Sequence, residues 1–190
     1  MGTTVIANNC IAGSILHDLN MRFDTPTINL LIPPRQFPKF CKNLKHYMEY
    51  DVVEYTNFSD EYRQDIINIF GNIPPYFPYG LCDDILIVFQ HYASFKDGKD
   101  AWNRRRARID YEHIGYIFYL AEEKYSEAAW EFQNLGLNPS VIITEGFNID
   151  IPHYNCFLPE DKIFLDTAPN GKKYYAQEFN PKEFITEVNK

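Results

Sequence analysis

Short apolar segments with strand character alternate with helix-like segments along most of the chain, and this alternation most restricts the possible folds. Segments rich in β-branched and aromatic residues predict strands over residues 4–8, 27–32, 52–55, 85–92, 115–120 and 141–144. Apolar residues spaced three or four positions apart predict helices over residues 11–19, 37–48, 59–70, 99–109 and 126–135. The alternation predicts an α/β domain with a mainly parallel sheet in a three-layer, Rossmann-like arrangement.

The pattern changes after Pro152, where the strand-like pieces become shorter. Residues 162–166 and 173–176 have strand-like composition, and residues 181–188 predict a terminal helix. We therefore expect a mixed or antiparallel edge at the C-terminal side of the sheet. Because no repeat or flexible linker interrupts the 190 residues, the chain is predicted to form a single domain.

The charge balance argues against a nucleic-acid partner. The 18 Lys and Arg residues face 26 Asp and Glu residues, for a formal net charge of −8, whereas nucleic-acid-binding domains usually carry a basic surface. No apolar run approaches the roughly 20 residues that cross a bilayer, and the first ten residues lack the features of an export signal. We therefore expect a cytoplasmic protein without a membrane span. Its four widely spaced cysteines predict free thiols and no metal site.

The residues that follow the first predicted strand are candidates for ligand binding. In an open α/β sheet, ligands bind beyond the carboxyl ends of the strands. Asn8, Asn9, Cys10 and Gly13 lie there, and the backbone amides that open the next helix could bind an anion. The spacing matches neither GxGxxG nor a P-loop, and the asparagines could simply cap the helix. Cys10 is also a candidate nucleophile if His91 lies beside it.

His91 and Glu145 are the candidate acid–base groups. His91 ends the predicted strand over residues 85–92, on the same side as Ile87 and Phe89. A histidine there is suited to proton transfer near neutral pH, although it could equally be a hydrogen-bonded structural residue. Glu145 directly follows the strand over residues 141–144 and therefore lies at the same sheet edge.

Two further regions could hold a ligand. On a helical wheel over residues 99–109, Arg105 points into the apolar face and Arg108 lies at its border. A guanidinium directed inward needs an anion, either a protein carboxylate or a ligand phosphate. The proline-rich loop over residues 74–80 presents aromatic side chains, among them Tyr79, that could stack on a sugar ring or only cover the core.

Five ordered segments carry a family resemblance. They read VIANNCIAG (5–13), DTPTINLLI (24–32), FPKFCKNLKHYM (37–48), FPYGLCDDILIVFQHY (77–92) and AWNRRRARI (101–109). Together they resemble an uncharacterised bacterial family associated with exopolysaccharide biosynthesis, over about residues 5–145, which leaves residues 146–190 as a C-terminal extension. The chain departs from the family pattern at Ala7, Ile11 and Ala12, where the family favours Ser, Trp and Gly. The matching positions are Asn8, Asn9, Cys10, Asp84, His91, Tyr92, Trp102, Arg105 and Arg108.

The resemblance implies a role in polysaccharide synthesis, with other enzymes of that pathway as partners. It does not indicate which reaction is catalysed or which cofactor, if any, is used. With the sheet-edge candidates it favours a glycosyl or related group transferase that acts on a sugar phosphate or nucleotide sugar. His91 or Glu145 would be the base, and the predicted substrate-binding residues are Asn8, Asn9, Gly13, Tyr79, Tyr92, Arg105 and Arg108. The alternatives are a non-catalytic module that binds a sugar or partner, and a Cys10-dependent hydrolase or acyltransferase.

Overall fold

The computed structural model describes residues 2–58 and 61–190. Its strands are β1 (Thr4–Ala7), β2 (Val52–Glu54), β3 (Tyr79–Cys82), β4 (Ile85–Val88), β5 (Ile114–Leu120), β6 (Ser140–Thr144) and β7 (Tyr154–Asn155). Its α-helices are α1 (Ile11–Asp18), α2 (Phe37–Lys42), α3 (Leu44–Glu49), α4 (Glu61–Phe70), α5 (Phe95–Arg106), α6 (Ser126–Asn134) and α7 (Pro181–Val188). None of these helices has the length and apolarity needed to cross a bilayer.

Four strands form a parallel sheet in the order β1-β5-β6-β7. This confirms the predicted parallel sheet within an α/β fold. The expected mixed or antiparallel C-terminal edge is wrong for the described residues, because β7 pairs in parallel with β6, Tyr154 lying opposite Ile143. Residues 162–166 and 173–176 form no strand, and Tyr174–Ala176 is a short 3-10 helix.

Each face of the parallel sheet has its own hydrophobic core, because the side chains of β5 alternate between the two faces. Phe118 packs in the core that contains Phe37 of α2 and Phe132 of α6. Its neighbour Tyr119 belongs to the opposite core, which contains residues of α1 and α7. The sheet is therefore buried on both sides, while the Rossmann-like layering stays a prediction.

A second, antiparallel sheet has the strand order β2-β3-β4. The prediction of a parallel strand over residues 85–92 is wrong, because β4 ends at Val88 and pairs in an antiparallel manner with β3. The first two residues of β3 belong to the predicted loop over residues 74–80. Asp83 adopts a positive φ of 55° and helps to form the two-residue turn between these strands. All residues of β4 are buried, two against each of two cores. That double burial explains why its apolar run resembled a parallel strand.

Residues 27–32, predicted to be a strand, instead connect the two sheets. Asn29 has a left-handed φ of 61°, which interrupts extended structure. Ile32 N donates to Asn8 O at 2.9 Å, just beyond β1, and Leu31 forms an isolated antiparallel bridge with Val88 of β4. The connection places Leu31 beside the carboxyl end of β1.

The helices follow the predicted pattern with altered ends. The predicted helix over residues 37–48 is divided at Asn43 into α2 and α3. The helix predicted from residue 99 begins four residues earlier, because Ser94 Oγ accepts a hydrogen bond from Asp97 N at 3.2 Å and caps α5. The predicted helix over residues 59–70 corresponds to α4, and its predicted start at Ser59 lies outside the described residues.

Candidate functional site

A cavity of about 370 Å³ opens at the carboxyl ends of β1, β5 and β6, and we call it the sheet-edge cavity. Asn8, Asn9 and Cys10 follow β1, Glu122 lies beyond β5, and Glu145 follows β6; all five line the cavity. This is the place where parallel α/β sheets bind ligands. A larger groove of about 750 Å³ between α1 and residues 171–183 contains none of the predicted site residues.

The outer wall of the sheet-edge cavity was not anticipated from the sequence. It consists of Leu158 and residues 162–165 from the C-terminal part of the chain. The Phe164 ring lies 4.5 Å from the Tyr119 ring, with 33° between the ring planes, and Tyr175 N donates to Phe164 O at 3.1 Å. This irregular segment has no periodic pattern, so only its packing on the sheet reveals its place.

The central polar contact of the cavity joins β5 to the residue after β6. Tyr119 Oη donates a hydrogen bond to Glu145 Oε2 at 2.6 Å. Tyr119 is 3% exposed, and its burial, together with this carboxylate, raises the pKa of Tyr119 well above its ordinary value. The phenol therefore remains a donor at neutral pH. Among the described residues, no cation pairs with Glu145, and its second oxygen has no hydrogen-bond partner.

The two asparagines after β1 shape the floor of the cavity through backbone contacts. Asn8 Nδ2 donates to Tyr119 O at 2.9 Å, and Tyr119 N donates to Asn8 Oδ1 at 2.8 Å. Asn8 therefore continues the β1–β5 pairing with its side chain. Asn9 Oδ1 accepts from Ile11 N at 3.1 Å and supports the turn into α1. These contacts support the structural alternative for both residues, and their predicted contact with substrate stays a prediction.

Cys10 and His91 both line the cavity. Among the hydrogen bonds of the described residues, none joins these two side chains, so they do not form a catalytic pair. Cys10 is 8% exposed, and burial raises the pKa of its thiol to about 11. Its Sγ lies 4.0 Å from Gln90 Oε1, whereas reactive cysteines need a lowered thiol pKa. His91 is exposed in a turn beyond β4, so the predicted side-chain alternation along a strand is wrong there.

Arg105 and Tyr92 lie outside the sheet-edge cavity and form a structural network. Arg105 Nη1 donates to Tyr92 Oη at 2.5 Å and to Ile28 O at 3.3 Å, while Tyr92 Oη donates to the same carbonyl at 3.1 Å. The expected anionic partner of Arg105 is therefore replaced by neutral oxygens. Because Arg105 is only half-buried, its guanidinium retains part of its hydration and does not require a carboxylate.

The other predicted binding residues also lie away from the cavity. Gly13 packs in α1, where a Cβ atom would lie 3.2 Å from Ile28 Cγ2. Tyr79, in β3 of the second sheet, donates from its Oη to Pro74 O in the preceding loop at 2.9 Å, and Arg108 follows the end of α5. The cavity thus brings together Asn8, Asn9, Cys10, His91 and Glu145, but not Gly13, Tyr79, Tyr92, Arg105 or Arg108.

Replacement of Arg105 by Ala is expected to lower the free energy of unfolding by about 1–2 kcal/mol. Hydrogen bonds to charged groups contribute about 1.5–3 kcal/mol, and partial exposure reduces that value here. The measurement is urea unfolding, with the exposed Arg104→Ala variant as the control. Unchanged stability together with lost ligand binding would contradict the structural role and restore the predicted role in phosphate binding.

A family model described as Domain of unknown function (DUF1919) matches residues 1–162. The chain belongs to this family. An uncharacterized protein from Haemophilus influenzae (strain ATCC 51907 / DSM 11121 / KW20 / Rd) is 27% identical over 184 residues, which cover 93% of this chain and 81% of the relative. The DUF1919 match extends beyond the expected end of the resemblance at residue 145. It includes the sheet-edge residues and Lys162, whereas residues 163–165 of the outer wall lie past it.

Proposed function

We propose that this protein is a group transferase of surface-polysaccharide assembly that binds a sugar phosphate or nucleotide sugar in the sheet-edge cavity. The observation that carries the proposal is the Glu145 carboxylate, which lines the cavity and is held by Tyr119 Oη at 2.6 Å. A volume of about 370 Å³ is within the range of about 300–1,000 Å³ that is usual for small-molecule sites. The polysaccharide setting is supported by the resemblance of the ordered sequence segments.

In the proposed reaction, Glu145 acts as the general base. Its carboxylate takes the proton of an acceptor hydroxyl, and the hydroxyl oxygen forms a new bond to the anomeric carbon of the donor sugar. The bond between that carbon and the phosphate oxygen breaks, and the phosphate leaves with the bonding electrons. Tyr119 is a positioning residue, because its hydroxyl fixes one carboxylate oxygen and leaves the other for the acceptor.

The remaining walls suit a sugar ligand. Apolar and aromatic side chains, including Phe164 and Leu165, face polar groups at the strand ends, including Asn9 and Gln90. Sugars have both apolar ring faces and hydroxyl edges, so such a mixed lining can bind both parts. His91, which is exposed, also lines the cavity and is a second candidate for proton transfer.

The test begins with thermal unfolding in the presence of nucleotide sugars and sugar phosphates, followed by assays of transfer to hydroxyl acceptors. A ligand at about 100 times its Kd should stabilise the protein by about 2.7 kcal/mol. Glu145→Gln should retain the fold and lower kcat by about 100-fold, as expected for loss of a general base. Tyr119→Phe should lower kcat with little change in KM. The exposed Glu54→Gln variant is the control.

Each result of this experiment has a distinct meaning. If sugar ligands stabilise the protein but no product forms, the transferase hypothesis is wrong and the protein is a non-catalytic sugar-binding module. The structural network of Arg105 and Tyr92 is compatible with that alternative. If no member of the panel stabilises the protein, or if Glu145→Gln reacts as fast as the wild type, the proposed function is wrong.

A further inference from the structure

We propose that Lys162, on the outer wall of the sheet-edge cavity, binds the phosphate of the ligand. This inference rests on the proposed function for the class of ligand, and it assigns the phosphate contact that Arg105 and Arg108 do not make. Among the described residues that line the cavity, Lys162 is the one side chain with a permanent positive charge. His91 is the other basic group of that lining.

The backbone around Lys162 has a defined position. Lys162 N donates to Pro159 O at 3.0 Å, which closes a turn. In the next residues, Ile163 N donates to Asp166 Oδ2 at 3.1 Å, and Asp166 N donates to Ile163 O at 2.9 Å. These bonds fix the local backbone of the segment, and the packing of Phe164 on Tyr119 holds it against the sheet. Lys162 therefore lines the cavity from a fixed backbone position.

The ammonium of Lys162 can exchange its protein partner for a ligand. Its Nζ lies 3.0 Å from an oxygen of the neighbouring Asp161, and the two side chains are 40% and 76% exposed. Exposed ion pairs of this kind contribute little stability. A phosphate with two negative charges and several acceptor oxygens therefore competes well for the lysine.

The wall formed by the residues after β5 and β6 orients the ligand. Glu145 and Glu122 line that side, and Glu122 Oε2 already pairs with Lys124 Nζ at 2.7 Å. Lys124 offsets the charge of Glu122, so among the described residues Glu145 carries the unpaired negative charge on this wall. That charge repels phosphate, whereas the carboxylate accepts hydrogen bonds from sugar hydroxyls. The ligand thus binds with its phosphate towards Lys162 and its hydroxyl groups towards Glu145.

The first experiment measures binding of inorganic pyrophosphate to the full chain by calorimetry. Lys162→Gln should weaken pyrophosphate binding about tenfold, because one charge-assisted contact is lost. Lys172→Gln, an exposed lysine on the larger groove, is the matched control and should bind as the wild type does. Glu145→Gln should bind pyrophosphate at least as tightly as the wild type, since a repelling charge is removed.

The outcomes separate this inference from the proposed function. Equal pyrophosphate affinities of Lys162→Gln and the wild type, or no pyrophosphate binding at all, would overturn the role of Lys162. If sugar ligands nevertheless bind and react, the proposed function survives. If pyrophosphate binding depends on Lys162 but no sugar ligand stabilises the protein, Lys162 retains its role and the proposed function is wrong.

Discussion

Asn8→Leu is expected to lower the free energy of unfolding by about 4 kcal/mol. The leucine side chain has the same branching and the same number of heavy atoms as that of asparagine, but it cannot form the two hydrogen bonds to the Tyr119 backbone, at 2.9 and 2.8 Å. Both residues are at least 97% buried, Asn8 being 2% and Tyr119 3% exposed. The Tyr119 N–H and C=O would therefore be left unpaired, at a cost of about 1–3 kcal/mol each. Urea unfolding measures the change.

The neighbouring Asn9 provides the control for this prediction. Its side chain makes one hydrogen bond, to Ile11 N at 3.1 Å, so Asn9→Ala should cost only about 1 kcal/mol, as for loss of a helix cap. A loss below 1 kcal/mol in Asn8→Leu would show that Tyr119 finds other backbone partners, and that Asn8 lies at the sheet edge mainly for ligand binding.

Gly98→Ala is expected to lower the free energy of unfolding by about 2 kcal/mol, although alanine favours helices by about 1 kcal/mol over glycine. A Cβ atom at this position of α5 would lie 2.6 Å from Cδ1 and Cγ of the Phe89 ring. Phe89 is fully buried, and the rings of Tyr92 and Phe95 lie 5.7 and 5.9 Å from it. The ring has little room to move, so overpacking outweighs the helix preference.

Gly13→Ala is the matched control for Gly98→Ala, because Gly13 also lies within a helix, α1. Its Cβ would lie 3.2 Å from Ile28 Cγ2, at the end of an aliphatic side chain. A small shift of Ile28 should remove that contact, and we expect a change within about 0.5 kcal/mol, because the helix preference offsets the strain. If Gly98→Ala is as stable as the wild type in thermal and urea unfolding, the prediction that α5 packs too closely on Phe89 to accept a Cβ atom is wrong.

The parallel sheet and half of the candidate site were predictable because both depend on local pattern. β1, β5 and β6 are short apolar runs bounded by polar residues, and residues after such strands necessarily meet at one edge. That reasoning placed Asn8, Asn9 and Cys10 with Glu145 correctly. The helical wheel placed Arg105 in the same site incorrectly. A wheel gives the direction of a side chain around one helix but does not identify the group that the side chain contacts.

The sequence by itself determined the places of the helices and of the parallel strands β1, β5 and β6, since periodicity and turn residues act over a few neighbouring positions. Only the tertiary structure decided the antiparallel pairing of β3 with β4, the outer wall at residues 162–165, and the bond between Tyr119 and Glu145. Each of these depends on groups brought together from separate parts of the chain. Hydrogen bonds and side-chain packing at such contacts join residues that are distant in the sequence, so no local sequence pattern predicts them.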